Sequence, residues 1–216
     1  MKKSRSLIIM SALRRDIKNK ILYGIKAPLK FERIYVKTEE IKKRIYGIDY
    51  SESALIFNHK WPTEREILIM EEEYTKLIVN KYENDLSWEE SGYIENRMSM
   101  IKKGFLRDGV ISKEIILNRC KSWDAIYNEV KKTGRMKSRK DIDKYPFRER
   151  GGIMISISDK GELIKTGQGN HRLLIAKILN VPVIPAQIGL VHVNSMGILN
   201  EIREFSKEYT ETLSSC

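Results

Sequence analysis

The spacing of apolar and polar positions changes along the chain, and each change predicts a different element. In residues 1–27, Leu7, Met10, Leu13, Ile17, Ile21 and Leu22 recur at spacings near three and four, with Arg14, Arg15, Lys18 and Lys20 between them. This predicts an amphipathic helix with a basic outer face. Pro28 breaks the pattern, after which Phe31 to Lys37 alternates as a short strand, and Thr38 with Glu39 and Glu40 begins a helical turn. Residues 46–62, interrupted by Gly47, Asn58, His59 and Pro62, read as irregular. From Thr63 to about Lys132 the period is helical almost throughout. One stripe holds Ile67, Met70, Tyr74, Leu77, Ile78 and Tyr82, a second Tyr93, Met98 and Ile101, and a third Ile115, Ile116, Trp123, Ile126, Tyr127 and Val130. Ser87, Ser112 and Ser122 are expected N-caps, Glu90 completes a capping box with Ser87, and the Gly104 to Gly109 segment joins two helices.

After this helical stretch the period shortens. Gly152 to Ser158 is strand-like, Asp159-Lys160-Gly161 has turn chemistry and Glu162 to Thr166 is a second strand, so the three together predict a β-hairpin. Gly167-Gln-Gly-Asn-His-Arg172 follows, then an apolar helix over Leu173 to Leu179 and an extended segment from Val181 to Ile188. The expected fold is α+β: a small mixed sheet with a large helical insertion and an N-terminal helix.

A strand, a glycine turn and a helix start together supply what an anion requires. Backbone N–H groups are unpaired there, the helix dipole is positive, and glycine has no β-carbon to block close approach. Gly167 and Gly169 give the clearance, Asn170 is the expected N-cap, and His171 and Arg172 project from the first turn. Arg172 is suited to a forked contact with phosphate, and His171 to donating a hydrogen bond or shuttling a proton. On spacing alone a capped tight turn explains the same residues. The glycine spacing is neither the Walker nor the Rossmann pattern.

Charge enlarges this picture. The 216 residues hold 40 Lys plus Arg against 29 Asp plus Glu, a formal charge of +11. Much of the excess lies in Lys131 to Arg150, where nine cations face three acids immediately before the hairpin. Such a strip is either a solvated loop or a phosphate-contacting surface, with Lys137, Arg139 and Lys140 the candidate nucleic-acid contacts. No apolar run is long enough for a spanning helix, and the short apolar stretch after Lys2, Lys3 and Arg5 is followed at once by Arg14 and Arg15, unlike a signal peptide. Two cysteines, Cys120 and Cys216, make neither a zinc site nor a disulfide framework, so a reducing cytoplasm is expected.

The stretch Gly151 to Gln187, with Gly-Gly-Ile-Met-Ile-Ser-Ile, Asp-Lys-Gly, Gly-Asn-His-Arg-Leu and Ile-Pro-Ala-Gln-Ile, resembles the core of the ParB/sulfiredoxin-like superfamily. The nearest likeness is to a microbial and viral branch with a Gly-x-His-Arg-Leu turn. Weaker likenesses lie at Arg33 to Ile41, at Ser87-Trp-Glu-Glu with Tyr93, and at Lys121 to Gly134. The resemblance implies a division into 1–30 (basic amphipathic helix), 31–62 (first strand and helix of the core), 63–132 (helical insertion), 133–190 (core with the turn) and 191–216 (helical tail). It implies a nucleotide such as ATP or CTP, with Mg²⁺ as the accompanying ion, its phosphates held by Gly167, Gly169, Asn170, His171 and Arg172. Asn170 stands where sulfiredoxins carry their catalytic cysteine, which excludes that chemistry, and about 26 residues after Leu190 are too few for the DNA-binding region of ParB proteins. His192 is a weaker candidate, lacking the arginine and tryptophan that accompany it in the branch.

Three functions follow as expectations. The first is a nucleotide hydrolase or phosphotransferase, with Glu149 and His171 as catalytic residues and Glu39 or Glu40 as the second choice of acid. The second is a module without turnover that binds DNA or RNA through the basic strip and the N-terminal helix. The third is a protein-interaction role, with Trp61, Trp88 and the helical insertion as the partner surface.

Overall fold

The structure, a computed structural model, describes residues 4–104 and 112–214, so the expected Gly104 to Gly109 connection and Cys216 lie wholly or mostly outside the described residues. The chain folds as α+β around one mixed sheet. Its strands are β1 (Arg33–Lys37), β2 (Lys43–Arg44), β3 (Ile56–Phe57), β4 (Ile67–Leu68), β5 (Ile153–Ile157), β6 (Leu163–Lys165) and β7 (Val183–His192). The order is β1-β7-β5-β6-β2-β4, and β3 extends β7 in parallel at Val191 and His192. The predicted hairpin is β5 and β6, paired antiparallel with Ile157 opposite Leu163. All of β5 is buried, as expected for a central strand with both faces covered.

The helices are α1 (Arg5–Tyr23), α2 (Glu73–Glu83), α3 (Tyr93–Lys102), α4 (Lys113–Thr133), α5 (Arg139–Ile142), α6 (Asn170–Ile178) and α7 (Met196–Ser214). One face of the sheet, carrying Ile34, Ile153, Ile155, Ile157, Leu163 and Ile184, packs on α6, and α2 and α4 close over α6 in turn. The opposite face holds a smaller cluster of Ile45, Trp61 and Ile164. Edge strand β1 is covered by α7: the Tyr35 N–H donates to Ser206 Oγ (2.7 Å), and Arg203 pairs with Glu32 (2.6 Å).

Several expectations are corrected. Ile67 and Met70 do not extend the α2 stripe. Ile67 pairs with Arg44 across the two-residue ladder β2/β4, Met70 lies in a single 3₁₀ turn, and both are exposed. A pairing partner some twenty residues away overrides the local helical period. Ser122 is inside α4, donating to the Asn118 carbonyl, whereas Ser112 does cap that helix. The Ser87/Glu90 capping box forms, but it closes a turn ahead of α3. Trp88 and Trp61 are core residues, with indole N–H groups held by Asp124 (2.9 Å) and Glu66 (2.8 Å), so neither presents a partner surface.

The largest correction concerns α1. It docks through a narrow line of Ile8, Ala12, Asp16 and Asn19, not through the predicted apolar stripe. Asn19 donates to the carbonyls of Pro28 and Ala54 (2.8 Å each), and Asp16 accepts from the Lys30 N–H and pairs with Arg148 (2.7 Å each). These buried polar contacts set which face turns inward, because each leaves a backbone or charged group unsatisfied if broken.

Candidate functional site

The Gly167 to Arg172 turn leaves β6 and opens α6. Gly169, at φ +87°, occupies the N-cap position, which corrects the assignment of that place to Asn170. No side chain caps the helix, and the backbone N–H groups of Asn170, His171 and Arg172 have no partner among the described residues. A helix start leaves such donors free unless a cap or a ligand takes them. Gly169 lies against the first residues of β5: a β-carbon there would stand 2.5 Å from Ile153 Cα and 2.9 Å from the Gly152 carbonyl. The turn is thereby fixed against the sheet.

Next to it lies a cationic group that the sequence reading passed over. Lys165, the last residue of β6, is 1% exposed, and its ammonium donates to the carbonyls of Thr166 and Gly167. It is thus bonded to the backbone of the turn itself. Arg44 is its neighbour across the parallel β2/β6 pair and is equally buried. Arg44 pairs through Nε with Glu72 (2.8 Å), and Tyr46 bridges the two, accepting from Arg44 (3.0 Å) and donating to Glu72 (2.8 Å). Arg44 Nη2 is buried without a hydrogen-bond partner among the described residues. Burial, reinforced by Arg44, holds the Lys165 pKa well below its ordinary value.

His171 is wedged into an aromatic cluster contributed by α2, α3 and α4. Its ring stacks on Trp123 (centroids 3.3 Å apart), meets Tyr74 edge-on and shares a hydrogen bond between Nε2 and the Tyr74 hydroxyl. Burial first, then Arg97, Arg119 and Arg44, lowers its pKa to about 3. His171 is therefore a neutral imidazole near pH 7.

Arg172, expected to make a forked phosphate contact, is held in part by the protein itself, while its Nε and Nη1 are buried without a hydrogen-bond partner among the described residues. It is buried and donates through Nη2 to the Lys137 carbonyl, close enough to Glu149 for the two charges to interact. It ties the basic strip to α6. Glu149 is fully buried, accepts from the Arg139 N–H (2.9 Å) and has an unpartnered Oε2, and burial raises its pKa. It is enclosed in the protein and not poised at an open pocket. Arg172→Ala should therefore lower stability by about 2 kcal/mol in urea unfolding, by orphaning a carbonyl and removing a buried counter-charge, whether or not nucleotide is present. Loss of binding without loss of stability would place Arg172 at the ligand.

The remaining candidates scatter. Within the basic strip Lys137 pairs with Glu129 and Arg139 with Asp143, while Lys140 is exposed. Glu39 and Glu40 lie exposed after β1, with Glu40 3.8 Å from Lys37. His192 is buried on the far side against Phe57, its Nδ1 accepting from the Asn194 N–H. Among the described residues no three His, Cys, Asp or Glu side chains gather as a metal would require. A Mg²⁺ at this site would be held chiefly by the nucleotide's own phosphates. No helix among the described residues is long and apolar enough to cross a membrane. The chain matches no family model, no curated protein and no solved structure.

The residues missed by the sequence reading were Arg44, Lys165, Tyr74, Trp123, Arg97 and Arg119. One of them left a signal. Lys165 shares the period-two face of Leu163 in an otherwise buried hairpin, directly before the glycine turn.

Proposed function

We propose that the chain is a nucleotide-binding protein that seats phosphate groups on the Gly167 to Arg172 turn, as its resemblance to ParB/sulfiredoxin-like proteins implies. The observation carrying this reading is the row of free backbone donors at the start of α6, beside the buried Arg44, whose Nη2 has no hydrogen-bond partner among the described residues. Fixed N–H dipoles and buried cations stabilise a polyanion, and each is costly to maintain unneutralised. The N–H groups of Asn170, His171 and Arg172 donate to phosphate oxygens, Arg44 supplies positive potential beside the turn, a bound phosphate would favour the charged form of Lys165, and Trp123 with Tyr74 holds the His171 ring in place.

The reading is of binding, because Glu149, the acid expected to act, is fully buried and accepts from the Arg139 N–H. Isothermal titration calorimetry with ATP, CTP and ADP, with and without Mg²⁺, tests it. Saturable binding that weakens with added salt is expected for at least one nucleotide. Absence of binding by all of them removes the proposal.

A further inference from the structure

We propose that α1 docks the protein onto the surface of an anionic phospholipid membrane. The inference is independent of the nucleotide turn and rests on the outward face of the helix. Because Ile8, Ala12, Asp16 and Asn19 turn inward, Met10, Leu13, Ile17 and Ile21 lie together on the opposite side, with Ile17 58% and Ile21 77% exposed. The apolar surface continues past the helix end through Tyr23 and Ile25, the latter 84% exposed. A strip of this size in water marks an interaction surface.

Its occupant is indicated by charge. Arg14, Lys18 and Lys20 border the strip, whereas Asp16, the helix's one acid, is turned inward and paired with Arg148. Beside the strip runs a groove of about 440 Å³ whose lining includes Arg14, Arg15 and Lys18 together with Leu22 and Leu55, and no carboxylate. Arg15 Nη1 is buried there without a partner among the described residues. Apolar side chains flanked by cations match the boundary between acyl chains and anionic headgroups, with the aliphatic strip in the former and the groove cations on the phosphates. A second copy fits poorly, since two such strips would bring like charges together. A nucleic acid would leave the exposed isoleucines and methionine in water.

Vesicle flotation at low and high salt tests the proposal. The chain should float with phosphatidylcholine vesicles containing phosphatidylserine, remain behind with phosphatidylcholine alone, and release as salt rises. The double variant Arg14→Gln/Lys18→Gln should bind about thirty-fold more weakly. The double variant Ile17→Asn/Ile21→Asn should lose flotation with an unchanged circular dichroism spectrum, since both residues are exposed. Failure to float with phosphatidylserine, or equal flotation without it, overturns the proposal. So does a dimer in solution, or salt-sensitive retention of duplex DNA, that the Ile17/Ile21 variant abolishes.

Discussion

Gly169→Ala is expected to reduce the free energy of unfolding by about 2–5 kcal/mol in urea titration. Two effects add. The residue holds φ at +87°, where an L side chain is strained, and the new methyl would meet Ile153 Cα at 2.5 Å and the Ile153 N at 3.0 Å. Those atoms are backbone at the start of a central strand, so neither side can yield without disturbing β5. Gly24→Ala separates the effects: Gly24 has φ +86° but nothing within 4 Å, so only the conformational cost of about 1–2 kcal/mol applies. Equal losses at the two positions would show that the turn does not press on the sheet as described.

Acid should destabilise the fold through His171. Its pKa is about 3 in the folded chain against an ordinary 6.5. As pH falls below 6.5 the unfolded chain takes up the proton first, so stability declines by about 1.4 kcal/mol per pH unit, or about 2 kcal/mol by pH 5. Near pH 3 the loss approaches about 5 kcal/mol. Glu149 acts oppositely, because its raised pKa makes the folded state the better proton acceptor above the ordinary carboxylate range. The comparison is therefore between the native chain and His171→Gln: the difference between their urea midpoints should stay constant from pH 7.5 to about 6.5 and then shift in favour of the variant down to pH 5, the variant being less acid-sensitive. Parallel curves would mean that His171 titrates normally and is not enclosed between Trp123 and the arginines. A bound polyphosphate should flatten the native slope, since its charge favours the imidazolium.

The strands and the turn were legible because their signals are local. β5 and β6 are short apolar runs on either side of Asp159-Lys160-Gly161, and Gly167 and Gly169 adopt the positive φ that their identity permits. The α4 cap at Ser112 was equally plain. What the sequence hid was long-range. The orientation of α1 depends on Asp16 reaching Arg148 and Asn19 reaching Ala54, contacts invisible to a hydrophobic period that points the other way. The charged surroundings of the site come from β2, α3 and α4 as well as from the motif, so Arg44, Arg97 and Arg119 could not be joined to His171 by spacing. Arg172 shows the reverse case: the motif identified it, and tertiary packing gave it the Lys137 carbonyl.

The most direct test of the nucleotide site separates binding from folding at Asn170. This residue is the first of α6 and makes no side-chain cap. Asn170→Asp changes its volume little and places a carboxylate where the helix dipole favours one by about 0.3–1 kcal/mol, but a phosphate on the same N–H groups would be repelled. Calorimetric titration of both proteins with the tightest-binding nucleotide, alongside their thermal midpoints, is the measurement. The predicted result is an unchanged or higher midpoint for Asn170→Asp with affinity reduced about tenfold or more. Equal affinity in the two proteins, with the fold intact, would contradict a phosphate seat at this turn.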